Sequence, residues 1–215
     1  MFESVKKYCE DRIEEFDQIP KVRKEELKRV SKYIKTHENA QLIFVCTHNS
    51  RRSHFAQVWA GISASYYGLV STHYYSAGTE STAFNPNAIE ALVRAGLRVE
   101  RSEHTENPDY FLDFGGENSI KCFSKTIDHN SLPKSNFAAI MTCDHAEENC
   151  PFLPGADLRI PITYEDPKIS DGTSEVEKVY DERCAQIARE ILYFSSKLVG
   201  VTLIIMGTKQ KGYVI

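Results

Sequence analysis

The chain has 215 residues, of which 41% are hydrophobic and 26% are charged, a composition typical of a globular protein with a sizeable core. Its formal net charge of -4 argues against general nucleic-acid binding, which needs a basic surface, so any anion must bind at a local site. Residues 1–18 are too charged for a signal peptide, and the apolar run 199–206 is too short to span a bilayer. We therefore expect a cytoplasmic protein that binds neither nucleic acid nor membrane. Its six cysteines are then expected to be thiols, metal ligands or catalytic groups rather than a disulfide framework.

Two amphipathic helices are predicted at the start of the chain, at residues 2–16 and 21–34, with a break at Ile19-Pro20 between them. We interpret them as an extension that precedes the main domain. The predicted divisions are residues 1–40 for the N-terminal helical extension, 41–200 for the main domain and 201–215 for a C-terminal tail.

Short apolar runs rich in β-forming residues alternate with helical patterns through the main domain. This alternation predicts an α/β fold, a doubly wound, four-stranded parallel sheet with helices on both faces. The segment 107–134 has no clear period, and we expect an irregular insertion there. The predicted strands are residues 42–45, 73–76, 137–142 and 158–162. The predicted helices are residues 52–67, a helix from Asn85-Pro86 to Gly96, and a helix from a capping box of Ser174 and Glu177 to about residue 198.

The first predicted strand ends at Cys46, and ligands of such sheets bind at the carboxyl ends of strands. A tight loop that enters a helix turns backbone N–H groups inward and forms a nest for a tetrahedral oxyanion. Arg52 can hold two oxyanion oxygens at once, and the same positive field favours the thiolate of Cys46, to which Ser53 can donate a hydrogen bond. The pattern therefore predicts a nucleophilic cysteine in an oxyanion-binding loop. That loop is Cys46-Thr47-His48-Asn49-Ser50-Arg51-Arg52-Ser53.

Alternatives remain open for two of these residues. Cys46 could instead be a buried cysteine at a strand end, beside a surface pair of arginines. Arg51 could either add a second positive charge beside the loop or be an exposed arginine at the start of the helix.

The loop resembles that of the low-molecular-weight protein tyrosine phosphatase superfamily, and within it the chain is most similar to thioredoxin-coupled arsenate reductases. The resemblance covers residues 42–198 and implies the low-molecular-weight phosphatase fold and a small oxyanion substrate; we expect no cofactor. Family loops usually have Gly at the position of His48 and often Cys at the position of Arg51, although some actinobacterial arsenate reductases share the histidine. The other segments that carry the resemblance are Tyr75-Ser76-Ala77-Gly78, Asn85-Pro86, Cys143 with Cys150-Pro151, and Glu165-Asp166-Pro167.

Asp166 is the candidate general acid. Transfer of an oxyanion leaves a poor leaving group, and a carboxylic acid above the loop can supply the proton that it needs. Pro167 restricts the residue before it to extended backbone and so fixes how Asp166 projects. Asp-Pro alone is a common turn pair, whereas the resemblance implies the acid role, with Glu165 a weaker candidate.

A phosphatase needs one cysteine, but this chain has two more, Cys143 and Cys150, after the third predicted strand. The resemblance implies that they relay a disulfide from Cys46. If the intervening residues are helical, seven residues rise about 10.5 Å, whereas a disulfide needs Cα atoms within about 7 Å, so closing the Cys143–Cys150 bond would unwind that helix. The alternatives are two core thiols, or a metal site shared with His145.

The sequence thus predicts an arsenate reductase that a thiol reductant such as thioredoxin regenerates. The main alternative is a tyrosine phosphatase that hydrolyses phosphotyrosine through a phosphocysteine, although Lys168 and Ile169 stand where such enzymes often have an aromatic residue. A third alternative is a protein that binds oxyanions or senses redox state without catalysis. Some family arsenate reductases bind potassium, but two of the acidic positions are held here by Gln57 and Asn107, so we expect no metal site.

Overall fold

A computed structural model of the chain describes residues 1–69, 71–102, 105–115, 119–149 and 153–199. Cys150 and the predicted tail at 201–215 lie outside the described residues. The strands are β1 (Ala40–Cys46), β2 (Thr72–Gly78), β3 (Arg98–Arg101), β4 (Tyr110–Asp113), β5 (Ile120–Cys122), β6 (Phe137–Met141) and β7 (Ala156–Pro161). The helices are α1 (Glu3–Glu14), α2 (Lys21–Thr36), α3 (Arg52–Tyr67), α4 (Pro86–Arg94), α5 (Asp144–Asn149) and α6 (Val176–Ser196), and 3-10 turns lie at Phe16–Gln18 and Pro167–Ser170.

The central sheet has four parallel strands in the order β2-β1-β6-β7, which confirms the predicted doubly wound α/β fold. Nearly all of β1 and all of β6 are buried because both faces of these inner strands are covered, as in other parallel sheets. In register, Cys46 lies opposite Gly78, and Val45 lies opposite Met141. The carboxyl ends of three strands therefore meet at one edge of the sheet.

A second sheet was not expected from the sequence. The strands β3, β4 and β5 form a three-stranded antiparallel sheet, so the prediction of an irregular insertion at 107–134 is wrong. β4 and β5 have only four and three residues, which is too short for a clear alternating pattern. After β5 the chain returns to the central sheet, where Gly78 pairs with Thr126 in a parallel bridge.

Two helix starts can be compared with their predicted caps. The side chain of Asn85 accepts a hydrogen bond from the Ala88 amide, which confirms the predicted start of α4. The predicted capping box of Ser174 and Glu177 is wrong, because α6 begins one residue after Glu175 and has no side-chain cap. The chain instead enters α6 through a turn in which Thr173 accepts the amide of Glu175.

The two predicted N-terminal helices are confirmed as α1 and α2. Their buried side chains, among them Val5 and Leu27, belong to the same hydrophobic cluster as Trp59 of α3 and Tyr180 of α6. The hydroxyl of Ser31 on α2 also donates to the carbonyl of Phe194 on α6, at 2.8 Å. Within the ranges described, none of the helices combines the length and apolar character that a membrane crossing requires.

Candidate active site

The predicted oxyanion loop connects β1 to α3, with Cys46 ending the strand and Arg52 starting the helix. Its carbonyl groups bond to the surrounding chain: that of Thr47 accepts the Glu80 amide at 2.8 Å, and that of Ser50 accepts the Asn85 amide at 2.9 Å. Because the C=O and N–H of one peptide point in opposite directions, these outward carbonyls turn the amides that follow them toward the inside of the loop. The loop therefore has the form of an anion-binding nest.

Gly78 at the end of β2 allows the close approach of the loop. A Cβ atom at this position would lie 2.6 Å from the Thr47 carbonyl oxygen and 2.7 Å from the Asn49 amide nitrogen, so a larger residue would push the loop away. Asn49 itself has a φ of 43°, in the left-handed region that asparagine tolerates better than most residues.

Cys46 is buried at the base of the loop. Its Sγ lies 3.0 Å from Oγ of Ser53, and that same oxygen accepts a hydrogen bond from Nδ2 of Asn49 at 2.8 Å. With its lone pair engaged by Asn49, the Ser53 hydroxyl is oriented to donate its proton to sulfur. A hydrogen bond from this hydroxyl would stabilise a negative sulfur, which is the role that the sequence analysis expects of Ser53.

Arg52 connects the loop to the candidate acid. Its guanidinium is almost fully buried and donates to Oδ2 of Asp166 at 2.5 Å and to the carbonyl of Tyr164 at 2.9 Å. Its Nε is buried and bonds to no residue of the described part of the chain, so one donor of the fork is available for an anion. Asp166 caps the 3-10 turn Pro167–Ser170 by accepting the Lys168 amide. The predicted nucleophile, clamp and acid are therefore neighbours.

Arg51 is not the exposed helix-start arginine that was one of the two expectations. Its side chain is only 12% exposed, and it bonds to the hydroxyl of Tyr180 and to Asp171. Each of those partners is more than a hundred residues distant in sequence, which is why local pattern could not identify them.

Cys143 lies beside the loop, as expected for a residue that follows a strand of this sheet. Its buried Sγ is 3.4 Å from Oγ1 of Thr47, the residue after the nucleophile, and 3.4 Å from the Ala146 amide at the start of α5. His145 also reaches Thr47, at 3.3 Å from its hydroxyl. Over the ranges described, no cluster of three or more His, Cys, Asp or Glu side chains could hold a metal ion.

The three remaining cysteines of the described part of the chain pack in the interior. Cys9, Cys122 and Cys184 are buried, and burial raises the pKa of each thiol to about 12. They are therefore protonated and unreactive at neutral pH, as expected of thiols that only pack in the core.

Lys125 is a residue of the site that sequence reasoning missed. Its backbone amide donates to Oδ1 of Asn49 at 2.9 Å, so it supports the loop from behind. Its buried ammonium donates to the Phe123 carbonyl and lies 4.3 Å from the centre of the Phe123 ring, and burial lowers the pKa of Lys125 to about 8. No sequence signal identifies it, because it stands in the segment expected to be irregular.

Gln57 and Asn107, the two residues at positions that are acidic in potassium-binding relatives, form hydrogen bonds within the protein. The hydroxyl of Ser76 donates to Oε1 of Gln57 at 2.5 Å and lies 3.1 Å from Nδ1 of His54. Asn107 exchanges two hydrogen bonds with the backbone of Ser124. Burial, and next the positive charge of Lys125, lower the pKa of His54.

The sequence profile of the low molecular weight phosphotyrosine protein phosphatase family matches residues 41–132. A protein of Halalkalibacterium halodurans named arsenate reductase is 32% identical over 134 residues, which are 62% of this chain and 78% of that protein. An arsenate reductase of Staphylococcus aureus strain Newman is 33% identical over 142 residues, which are 66% of this chain and 88% of that protein.

Solved structures share the fold. An arsenate reductase in the phosphate binding state covers 74% of this chain and 98% of its own, with a TM-score of 0.51 and 21% identity. A low molecular weight protein tyrosine phosphatase from T. tengcongensis covers 74% of this chain and 99% of its own, with a TM-score of 0.50 and 20% identity. At these identities the two structures show a common fold and no more.

Proposed function

This chain belongs to the low molecular weight phosphotyrosine protein phosphatase family, and from that membership we propose that it is an enzyme that reduces arsenate to arsenite. Cys46 is the nucleophile, the amides of residues 47–53 and the Arg52 guanidinium bind the oxyanion, and Asp166 is the general acid. Cys143 and then Cys150 carry the oxidising equivalents to a thiol reductant such as thioredoxin.

The observation that carries the proposal is the position of the second thiol. Cys143 is buried 3.4 Å from Thr47, immediately beside the nucleophile's loop, whereas phosphate-ester hydrolysis needs no thiol there. The relatives named arsenate reductase, at 32% and 33% identity, support the same choice.

The chemistry balances over three thiols. The Cys46 thiolate attacks arsenic, and the departing oxygen leaves as water with the proton of Asp166. Cys143 then attacks Sγ of Cys46; the sulfur–arsenic bond breaks, its electron pair reduces arsenic from the +5 to the +3 state, and arsenite leaves a Cys46–Cys143 disulfide. Cys150 attacks Cys143 to free Cys46, and an external dithiol reduces the Cys143–Cys150 bond.

Arg52 has different partners before and during this reaction. Without substrate it pairs with Asp166, which neutralises the carboxylate. A bound oxyanion would engage Nε and one terminal nitrogen of the same guanidinium, as bidentate recognition requires. Binding of the oxyanion therefore weakens the ion pair between Arg52 and Asp166, which leaves Asp166 able to accept a proton and deliver it to the leaving group.

A tyrosine phosphatase is the second candidate, and one observation favours it. Ile169 is not aromatic, but it follows the acid by three residues and has 77% of its surface exposed, so an apolar side chain close to Asp166 in sequence is open to contact with an aromatic leaving group. The same Cys46, Arg52 and Asp166 would serve, with water hydrolysing a phosphocysteine.

The test compares two activities in the same set of variants. We expect thioredoxin-dependent arsenate reduction, followed through NADPH oxidation by thioredoxin reductase, to be lost in Cys143→Ser and in Cys150→Ser. Hydrolysis of 4-nitrophenyl phosphate should persist in both, since it uses only the loop and the acid. Cys9→Ala, which removes a thiol from α1, is the control and should retain both activities.

The two serine variants should also stop at different points. Cys150→Ser should release about one equivalent of arsenite and trap a Cys46–Cys143 disulfide, visible by peptide mass mapping, because the second exchange is missing. Cys143→Ser should release none. Undiminished arsenate turnover in both variants would reject the relay through Cys143 and Cys150. Wild-type protein that hydrolyses phosphotyrosine but reduces no arsenate would replace this proposal with the phosphatase.

A further inference from the structure

The segment that carries the candidate acid has an aspartate at each end. Asp166 caps the start of the 3-10 turn Pro167–Ser170, and Asp171 caps its end. Two consecutive arginines of the oxyanion loop hold these two carboxylates: Arg52 pairs with Asp166 at 2.5 Å, and Arg51 pairs with Asp171 at 3.2 Å. The turn is thus fixed to the loop at two points.

The second attachment is a closed ring of hydrogen bonds. Nε of Arg51 donates to the Tyr180 hydroxyl at 2.7 Å, and that hydroxyl donates to Oδ1 of Asp171 at 2.7 Å. Asn87 of α4 donates to the same carboxylate oxygen at 3.3 Å. The ring therefore joins the start of α3 to α4, to α6 and to the turn.

Two of the three side chains in this ring are largely shielded from water, and the third, Asp171, is 32% exposed. The Arg51 side chain is 12% exposed, and Tyr180 is fully buried. Burial foremost, and then the hydrogen bond to Asp171, raise the pKa of Tyr180 to about 12, so the hydroxyl remains a donor throughout the neutral range. Charge-assisted bonds in such surroundings are shorter and stronger than those between neutral groups.

The two attachments differ in what happens when substrate binds. Arg52 must share its guanidinium between Asp166 and the oxyanion, so the first attachment loosens during the reaction. Arg51 donates from Nε to Tyr180 and from a terminal nitrogen to Asp171, and neither bond has to break for the oxyanion to bind to Arg52.

We propose that Arg51 and Tyr180 are positioning residues for the general acid, which hold the turn above the loop while Arg52 binds the oxyanion. The inference rests on the proposed role of Asp166 but not on whether the substrate is arsenate or a phosphate ester. It also replaces the expectation that Arg51 only adds charge beside the loop.

Three variants separate the contributions to the ring. Arg51→Gln removes the charge, Arg51→Lys retains the charge but not the planar fork, and Tyr180→Phe retains the ring but not the hydroxyl. Arg94→Gln is the matched control, because Arg94 makes a bidentate pair with Asp181 that also joins α4 to α6, away from the acid.

The first measurement is the dependence of hydrolysis on the leaving group. Loss of acid catalysis slows a poor leaving group most, so Arg51→Gln should reduce kcat for phenyl phosphate by about tenfold or more and for 4-nitrophenyl phosphate by about threefold or less. Tyr180→Phe and Arg51→Lys should show the same selectivity more weakly, and Arg94→Gln none. The inhibition constant of inorganic phosphate should be unchanged in all four. Equal losses on both esters, or weaker phosphate inhibition, would overturn the proposal, because Arg51 would then act on the whole fold or on the anion.

The second measurement needs no turnover. Amide hydrogen exchange at Lys168, Ile169 and Asp171 should remain slow in the wild type when inorganic phosphate saturates the loop, but become faster in Arg51→Gln. Unchanged exchange in the phosphate-bound variant would contradict the inference. Wild-type protein that reduces no arsenate while Arg51→Gln shows the leaving-group selectivity would reject the proposed function and leave this inference standing.

Discussion

Among the residues of the loop, Asn49 combines a structural role with one close to the nucleophile. Its backbone has a φ of 43°, its Nδ2 orients Ser53 toward the nucleophile, and its Oδ1 accepts the Lys125 amide. It is fully buried, so each of these bonds is shielded from water. One side chain thus links the shape of the loop to the state of the Cys46 sulfur.

We expect two substitutions at this position to separate those roles. Asn49→Gly allows the left-handed backbone but removes both side-chain bonds, whereas Asn49→Ala removes the bonds and also strains the backbone, at a cost of about 1 kcal/mol. In both variants, iodoacetamide should alkylate Cys46 about tenfold more slowly at pH 7, because Asn49 no longer orients the Ser53 hydroxyl toward the sulfur. Only Asn49→Ala should show the additional loss in the free energy of urea unfolding. Alkylation at the wild-type rate in Asn49→Gly would show that the Asn49–Ser53 bond does not activate the thiol.

The sequence identifies some of these residues and not others, for a physical reason. Cys46, Arg52 and Ser53 form a contiguous motif between a strand and a helix, and the structure brings Asp166 to Arg52 from the predicted Asp-Pro pair. The partners Tyr180 and Lys125 depend on how distant segments pack, and nothing in their own neighbourhoods in the sequence distinguishes them. Arg51 could be recognised as charged, but its burial depends on those distant partners.

At the scale of elements, α2 is fixed to the backbone that leads to the acid. Arg23 of α2 donates to the Thr163 carbonyl, lies 5.3 Å from the ring centre of Tyr164, and pairs with Glu190 of α6 at 3.4 Å. The carbonyl oxygen of Tyr164 in turn accepts a hydrogen bond from the guanidinium of Arg52. We therefore propose that residues 1–40, predicted as an extension, are an integral part of the catalytic domain.

Removing the charge of Arg23 should destabilise the protein strongly. Glu190 is 2% exposed, so in Arg23→Gln its buried carboxylate would lose its ion-pair partner and keep only the weaker influence of Arg189, at a cost of up to about 3 kcal/mol. Arg29→Gln on the same helix is the control: the exposed pair of Arg29 with Glu26 should contribute less than about 0.5 kcal/mol. Urea unfolding measures both.

A double substitution tests the cause of that loss. If the unpaired carboxylate is responsible, Arg23→Gln with Glu190→Gln should be more stable than Arg23→Gln alone, since no buried charge remains. A double variant that is no more stable than the single one would indicate that the contacts of Arg23 with Thr163 and Tyr164 dominate.

The hydrophobic pattern of the sequence identifies some helices and strands but not others. Buried runs such as β1 and β6 stand out because all of their residues except Gln41 are apolar, and α3 was predicted with the bounds that the structure gives. The short strands β4 and β5 did not stand out, because each is stabilised by pairing with a neighbour rather than by its own pattern.

At the scale of the whole molecule, the burial of Lys125 follows from the way in which the two sheets meet. Directly after β5, the Lys125 carbonyl accepts the Gly78 amide at 2.9 Å, and the Gly78 carbonyl accepts the Ile127 amide at 3.0 Å. This pairing beside β2 brings a lysine side chain into the interior behind the loop. The backbone of Lys125 is required there for its bonds to Asn49 and Gly78, but burial of its ammonium lowers the free energy of unfolding.

That cost depends on pH. The pKa of Lys125 is about 8 in the folded protein and about 10.5 in the unfolded chain, because burial disfavours the ammonium. Below pH 8 the lysine is protonated in both the folded and the unfolded chain, so the folded protein bears the full cost of burying the ammonium. Between pH 8 and 10.5 the folded protein has released the Lys125 proton, whereas the unfolded chain retains it. The free energy of unfolding therefore rises with pH, by at most about 3 kcal/mol. The buried thiols oppose this above pH 9, since unfolding lets them ionise.

Comparison with Lys125→Met isolates the contribution of the lysine from that of the thiols. Methionine retains the length of the side chain without the charge, so the variant should be more stable than the wild type at pH 7, and the difference should shrink steadily toward pH 10.5. Lys121→Met is the control, because Lys121 is half exposed and pairs with Asp109, and its difference from the wild type should stay nearly constant over this range. The measurement is the free energy of urea unfolding at intervals of half a pH unit. A difference between wild type and Lys125→Met that does not change between pH 7 and 10.5 would mean that the Lys125 ammonium is solvated, and that the buried cation behind the loop does not exist.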